Sequence, residues 1–273
     1  MLKKCPHCHH EYEETSRFCP YCGAPNTNNQ KPQPVIQVKL ARIVALFVVG
    51  FIGFEIIATL IQIPFLLLAR NNYGSNTDLI KTYLESAPVS MFVNSISYCV
   101  VFVILLFLAS PIIPYLWKSF KNKKSYAAGL VAVAAIFAFN LIYSIFLVLV
   151  GADVSNNDNQ TSLDSIVRVY PLICLVVFGV FGPICEELTY RVGLFETMRQ
   201  RNRTLAYAVT IVIFTFIHFN FTADNLVNEI LNIPYYASAA FAFTFVYDKY
   251  GFAASVSAHV LNNMVSMIQE ILR

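Results

Sequence analysis

The chain has 273 residues, of which 57% are hydrophobic and 13% are charged, and its formal net charge is +3. Soluble domains carry about 25% charged residues, so this composition excludes a water-soluble globular protein and predicts a membrane protein. The small net charge indicates little by itself, because the placement of Lys and Arg carries the information in a membrane protein. No short apolar run with a cleavage site follows Met1, so we expect the N-terminus to be retained.

Two cysteine pairs open the chain, Cys5-x-x-Cys8 and Cys19-x-x-Cys22. Two thiolates at this spacing hold one metal ion, and two such pairs complete a tetrahedral site whose usual occupant is Zn²⁺. The alternative is a pair of disulfides, which needs an oxidising compartment. Residues 1–25 are therefore predicted to form a minimal zinc-ribbon β-hairpin that folds around a structural zinc ion.

The predicted role of this ribbon is binding or regulation, because four Cys ligands leave no open coordination position for catalysis. A protein partner in the cytosol fits that role. A nucleic-acid partner is not expected, since residues 1–25 contain three basic residues against three glutamates. Residues 26–38 are polar and contain two prolines, so they are predicted to be a flexible linker to the domain at residues 39–273.

Seven apolar runs follow the linker, and most of them reach the roughly 20 residues that a membrane-spanning helix needs. They cover residues 43–69, 89–116, 126–150, 166–190, 204–220, 230–247 and 251–271. The prediction is an all-α polytopic membrane protein of about seven transmembrane helices, surrounded by lipid. The fifth and sixth runs are short, so the count is open by one.

The loops between these runs predict the orientation of the chain in the membrane. Basic residues lie before the first run, after the second and after the fourth: Lys39, Arg42, Lys118, Lys121, Lys123, Lys124, Arg199, Arg201 and Arg203. The charged residues of loops 71–88 and 151–165 are instead mostly acidic. Since basic loops stay in the cytoplasm, a multi-pass protein of the cell membrane with its N-terminus in the cytosol is predicted. A reducing cytosol agrees with metal-bound cysteines.

The fourth apolar run contains ionisable side chains, which are costly inside a bilayer and so indicate a functional site. Glu187 and Arg191 are i and i+4 on a helix and can form an ion pair. Glu186 lies about 100° around the helix from Glu187, so it need not share that partner. A carboxylate without an ion-pair partner can act as a general base.

Two further runs add histidine and asparagine. His218 lies near the end of the fifth run, and His259 and Asn263 share one face of the last. Together with Glu186 these side chains would supply a base, hydrogen-bond donors and potential metal ligands if they converge. Taken singly, each motif is also typical of a packing histidine or of a hydrogen bond between helices.

These motifs, in this order along the chain, resemble the signature of the CPBP (CAAX-protease and bacteriocin-processing) intramembrane endopeptidases. That signature is Glu-Glu-x-x-x-Arg, then Phe-x-x-x-His, then His-x-x-x-Asn, and it is matched by Glu186, Glu187, Arg191, Phe214, His218, His259 and Asn263. The resemblance covers about residues 165–271. It implies an intramembrane protease that uses glutamate-activated water to hydrolyse a peptide bond in a membrane-associated substrate, either CAAX-like or a bacteriocin or peptide precursor.

The resemblance also implies a role for each residue. Glu186, helped by His218, would activate the water, and His259 and Asn263 would stabilise the oxyanion. The supporting residues would be Glu187 and Arg191, which hold the site together, and Phe214, which packs beside it. A catalytic metal stays open, because Glu186 and the two histidines could ligate Zn²⁺, whereas a glutamate base needs no metal.

Two other functions stay open. A non-catalytic membrane scaffold or bacteriocin-immunity protein would keep these residues for packing. A transporter or channel would need polar residues along the front spans, where Glu55 stands among scattered Asn and Ser. The simplest interpretation of Glu55 is a buried partner for another helix or a protonated acid.

One geometric condition follows from the predicted spans. A fourth span over residues 166–190 places Glu186 near the cytoplasmic end, about 20 Å in depth from His218. The two side chains can meet only if this helix extends towards residue 198 or kinks at Pro171 or Pro183.

Overall fold

The structure is a computed structural model and describes residues 2–5, 7–13, 20–22, 40–152 and 155–272. The chain divides into two compact units, residues 1–37 and residues 38–273. The first unit holds two short strands, β1 (Leu2–Lys4) and β2 (Glu11–Glu13), paired antiparallel with Lys3 opposite Tyr12. Tyr12 and Cys5 are buried between them. The predicted β-hairpin is therefore confirmed.

The described part of the second unit is mainly helical. Its α-helices are α1 (Leu40–Val48), α2 (Phe54–Tyr73), α3 (Thr77–Leu84), α4 (Ala87–Ala109), α5 (Ile113–Phe120), α6 (Lys123–Leu149), α7 (Asp158–Val169), α8 (Pro171–Val176), α9 (Gly182–Glu186), α10 (Glu196–Arg199), α11 (Arg203–Phe216), α12 (Leu226–Tyr250) and α13 (Phe252–Ile271). Wider π-helical turns at Val49–Gly53, Val177–Phe181 and Glu187–Phe195 join some of these helices end to end. We call each long continuous helix a rod.

Five of these rods, within the described ranges, are long and apolar enough to cross a membrane: Leu40–Tyr73, Ala87–Ala109, Lys123–Leu149, Pro171–Arg199 and Leu226–Tyr250. A polytopic, all-helical membrane protein is thereby confirmed, but the predicted count of seven spans is not. The fifth predicted span is the short helix α11, which has 14 residues. The last is α13, whose polar positions His259, Asn262 and Asn263 lower its apolar character.

The fourth rod continues past residue 190, where the predicted span ends, because the charged residues there form ion pairs inside the protein. Arg191 binds Glu187, and Glu196 binds Arg199. Glu186 therefore lies mid-helix, 13 residues before Arg199, and the prediction that it lies near the end of its span is wrong. Helix α11 turns back along this rod, and His218 comes 15 residues after Arg203. At about 1.5 Å per residue, Glu186 and His218 reach similar depths, roughly 20 Å from the turn.

The first rod packs closely against the fourth through glycine. A Cβ atom built on Gly193 would lie 2.7 Å from the backbone nitrogen of Phe47, and one on Gly50 would lie 1.7 Å from Oγ1 of Thr189. Small residues allow such backbone approach between membrane helices. This contact brings the first rod alongside Glu186 and Glu187.

Candidate active site

The buried carboxylate of Glu187 organises the centre of the helical unit. Its Oε1 lies 3.0 Å from Nη1 of Arg191 and accepts a hydrogen bond from Nδ1 of His259 at 2.8 Å. Its Oε2 accepts a hydrogen bond from the hydroxyl of Ser255. Glu187 and Arg191 are both 0% exposed, so the ion pair is cut off from solvent. The predicted pairing of Glu187 with Arg191 is thus present, and it fixes the imidazole of His259.

Aromatic rings enclose this pair. The guanidinium carbon of Arg191 lies 4.3 Å from the ring centroid of Phe214 and 5.6 Å from that of Phe243. Phe243 also stacks on the imidazole of His259, with centroids 4.5 Å apart. Cation–π contacts of this kind strengthen when water is excluded. Phe214 therefore packs on the arginine, which agrees with the supporting role that the resemblance implies for it.

Glu186 differs from its neighbour in having no such partner. Its Oε2 is buried, accepts no hydrogen bond from the described residues, and lies 3.7 Å from Nε2 of His259. Its side chain is 19% exposed and lines a cavity of about 700 Å³, which we call the site cavity. One histidine thus lies between two carboxylates, of which Glu187 is neutralised and Glu186 is not.

His218 lines the same cavity from the end of α11. Its Nδ1 donates to the carbonyl oxygen of Phe214 at 2.9 Å, which leaves Nε2 to face the cavity. Its ring stacks on Tyr236, with centroids 4.6 Å apart. The structure therefore brings Glu186 and His218 to one space, and Nε2 of His259 lies 3.7 Å from Glu186.

Asn263 lies apart from that cavity. Its Nδ2 donates to the carbonyl oxygen of Phe178 at 3.2 Å, and its Oδ1 accepts from Asn262 at 3.3 Å. This hydrogen bond ties α13 to the π-helical turn before Glu186. The amide of Asn263 has a second N–H, which its predicted role at the oxyanion would use. That role stays a prediction.

A polar network outside the motifs holds the loop after α11. Asn157 donates from Nδ2 to the carbonyl oxygen of His218 at 2.8 Å and accepts a hydrogen bond from the hydroxyl of Tyr236 at 2.9 Å. The buried carboxylate of Glu229 accepts from the backbone nitrogens of Asp158 at 2.9 Å and Asn220 at 3.0 Å. These contacts fix His218 from its backbone and from its ring.

Sequence reasoning missed Ser255, Phe243 and Tyr236, which contact the site residues directly. Ser255 leaves a signal, because it lies four residues before His259 on the same face of α13. Phe243 and Tyr236 lie on α12, in a run of apolar and aromatic residues where no spacing distinguishes them. Their positions depend on the packing of α12 against α11 and α13.

The cysteine site belongs to the first unit and is separate from these residues. The Sγ atoms of Cys5, Cys8 and Cys22 lie within 4.8 Å of one another, and those of Cys5 and Cys22 are 3.6 Å apart. Tetrahedral zinc with Zn–S bonds of about 2.3 Å separates its sulfurs by about 3.8 Å, so these three residues fit a metal ion. Cys19, the predicted fourth ligand, lies outside the described residues.

Backbone donors prepare Cys5 for metal binding. The N–H of Cys8 and the N–H of His7 point at its sulfur, the latter at 3.4 Å. The hydrogen bond from Cys8 is the main cause that lowers the pKa of the Cys5 thiol to about 6. A thiolate is the form that binds metal, so this cysteine is ready to ligate at neutral pH.

The membrane site does not present a similar ligand set. Within the described part of the chain, the cysteine trio alone gathers three or more potential ligand atoms inside 4.8 Å. In their described positions, Glu186, His218 and His259 do not bring three ligand atoms within 4.8 Å of one another.

Residues 168–265 match the family model of type II CAAX prenyl endopeptidase Rce1-like proteins, and residues 4–26 match that of a zinc-ribbon domain. The UPF0177 protein YvdC of Lactococcus lactis is 24% identical over 153 residues, which are 56% of this chain and 54% of that protein. The chain thus spans about half the length of this curated relative. No solved structure matches it.

Proposed function

We propose that this chain, which carries an Rce1-like region of the CPBP type and an N-terminal zinc ribbon, is an intramembrane endopeptidase. It hydrolyses a peptide bond in a membrane-associated substrate, CAAX-like or a peptide precursor. One observation carries the proposal: the carboxylate of Glu186 lines the site cavity without a hydrogen-bond partner among the described residues, 3.7 Å from Nε2 of His259. A carboxylate in that state inside a membrane is poised to accept a proton.

The distance between Glu186 and His259 suits a water molecule. At 3.7 Å their facing atoms are too far apart for a direct hydrogen bond, but one water can lie about 2.8 Å from both. Glu186 would remove a proton from this water as its oxygen attacks the carbonyl carbon of the substrate. The protonated Glu186 would then give that proton to the leaving amine, so the base is regenerated when the C–N bond breaks.

The surrounding residues support this step. Glu187 receives Nδ1–H of His259 and so orients its Nε2 towards the water, as second carboxylates do for catalytic histidines. We assign Nε2 of His218 to the developing oxyanion, because this histidine lines the site cavity, whereas the second amide N–H of Asn263 could reach that position only if its side chain turned towards the cavity. One such donor is typically worth about 3–4 kcal/mol in the transition state.

The orientation of the chain is part of the proposal. Loop residues after α5 and α12 lie at one end of the helical unit, since Ser125 donates to the carbonyl oxygen of Tyr250 at 3.0 Å and Arg203 binds Asp248 at the same end. This end carries the four lysines 118, 121, 123 and 124. A cytosolic location of this end follows from the excess of basic residues. The zinc ribbon would then meet its partner in the cytosol.

Substitution of Glu186 tests the proposal. Membranes from cells that produce the wild type or Glu186→Gln would be compared by mass spectrometry of protein N-termini, with the melting temperature of each purified protein as a control. We expect wild-type-specific cleavage products, a loss of about 10²–10⁴-fold in rate for the variant, and equal melting temperatures. If the wild type yields no product and the variant melts lower, Glu186 serves packing, as in a scaffold or immunity protein.

A further inference from the structure

The first membrane rod places a second carboxylate at the site cavity. Glu55 lies 15 residues after Leu40 and 18 before Tyr73, near the middle of the rod. Its side chain is exposed to the site cavity, which Glu186 and His218 also line. In the part of the chain that the structure describes, Glu55 has no ion pair and no hydrogen bond. The expected buried partner on another helix is therefore not found among those residues.

The charged residues that line the site cavity are acidic. Its lining contains two carboxylates and one histidine, and it contains no lysine or arginine among the described residues. A carboxylate at this depth is costly unless it faces water or a cation. Two of them in one space repel each other, so an incoming positive charge would be stabilised by both.

The rest of the lining indicates which cation fits. Much of the cavity wall is apolar and aromatic, with Phe51 and Phe54 close to Glu55 in the sequence, and with Phe216 and Phe221 at and after the end of α11. Such a wall can cover the aliphatic stem of a lysine or arginine side chain, whose charged head then reaches the carboxylate. A bare divalent ion fits less well, because Glu55, Glu186 and His218 do not gather as ligands within 4.8 Å.

We propose that Glu55 binds the cationic side chain of a Lys or Arg in the substrate, and so selects peptides with a basic residue near the scissile bond. This inference rests on the proposed peptidase function. Glu55 lies on the first rod and Glu186 on the fourth, so a bound peptide would be held by its charge at one helix and cut at the other. Glu55 is thus a specificity-determining residue rather than the base.

A peptide series tests this selection with purified protein in lipid vesicles. The probes are quenched-fluorescent membrane-spanning peptides, identical except for one position that carries Lys, norleucine or Glu and is moved along the residues around the mapped cleavage site. The readout is the ratio of kcat/KM for the Lys peptide to that for the norleucine peptide. We expect a ratio of about 10–100 in the wild type, since a hydrogen bond to a charged group has that effect on affinity.

Variants that change the charge at position 55 test this selection more directly. Glu55→Gln should bring the Lys-to-norleucine ratio close to one, and Glu55→Lys should make the Glu peptide the preferred substrate. Asp78→Asn, an exposed acid on α3 outside the cavity lining, should keep the wild-type ratio. A merely structural effect of Glu55 would lower cleavage of all peptides and leave the ratio unchanged.

The outcomes separate this inference from the function on which it rests. A wild type that cleaves the peptides without preferring Lys at any position overturns the role of Glu55 and leaves the peptidase standing. A wild type that cleaves none of them counts against the peptidase. In that case photo-crosslinking of the Lys and norleucine peptides to the wild type and to Glu55→Gln still decides: equal capture by both proteins overturns the inference, and selective capture by the wild type supports it.

Discussion

Nδ1 of His259 donates a hydrogen bond across 2.8 Å to Oε1 of Glu187, and the same carboxylate oxygen lies 3.0 Å from Arg191. Glu187 therefore serves two functions, since it neutralises a buried guanidinium and directs an imidazole towards Glu186. Neighbouring glutamates in one sequence motif thus have opposite environments. The paired one builds the site, and the unpaired one is left for chemistry.

The buried ion pair gives the first prediction, which concerns stability. Glu187→Leu and Arg191→Met should each lower the free energy of unfolding by about 3–5 kcal/mol, because each leaves the opposite charge buried and unpaired. The double variant Glu187→Leu/Arg191→Met should recover part of this loss. Unfolding in detergent micelles measures all three, and strictly additive losses in the double variant would contradict the pairing.

Close packing of the first and fourth rods gives the second prediction. Gly193→Ala should destabilise the protein by about 1–3 kcal/mol, because its Cβ would lie 2.7 Å from the backbone of Phe47, which cannot move aside as a side chain can. Gly53→Ala is the matched control on the first rod, since its Cβ would meet Val49 at an ordinary 3.5 Å. That control should be neutral or slightly stabilising. Equal melting temperatures of the two variants would refute the close approach.

The fold illustrates which features a sequence carries locally. Apolar length predicted the positions of five membrane rods, and cysteine spacing predicted the hairpin. The end of the fourth rod was misplaced because Arg191 and Glu196 look like solvent-facing charges. Their ionic partners, Glu187 and Arg199, lie on the same rod, but their burial depends on groups from other parts of the chain, among them Tyr247, whose hydroxyl donates to Glu196 at 3.0 Å. Hydropathy along the chain does not contain that information.

The candidate site divides in the same way. The Glu187–Arg191 pair follows from helix geometry and was predicted from i, i+4 spacing. Glu186 and His218 reach the same cavity because the fourth rod is long and α11 turns back along it, and the sequence alone predicted neither feature. Which histidine approaches Glu186 most closely was decided by tertiary packing: it is His259, held by Glu187, and the resemblance had assigned that histidine to the oxyanion.

The third prediction concerns Tyr236, whose ring stacks on His218. Tyr236→Phe removes the hydroxyl that donates to Asn157 but keeps the ring that stacks on His218. We expect kcat to fall about tenfold with little change in KM, because a small displacement of a catalytic group is costly. The matched control is Tyr143→Phe, which loses a similar hydroxyl bond, at 3.1 Å to the carbonyl oxygen of Leu231 on the other side of α12. A parallel loss of kcat in both variants would show that the effect is general loosening.

The fourth prediction concerns the metal of the ribbon. Purified protein should contain about one zinc per chain, and Cys5→Ser or Cys22→Ser should lower that content strongly, because each removes one thiolate from a trio that lies within 4.8 Å. Cys99→Ser is the control, since this exposed single cysteine lies in α4. Elemental analysis measures the zinc, and thermal unfolding of the full chain measures the stability of the helical unit. Because the ribbon and Glu186 belong to different units, removal of zinc by a chelator should leave the melting temperature of the helical unit unchanged. A coincident loss of both would place the metal in the membrane site instead.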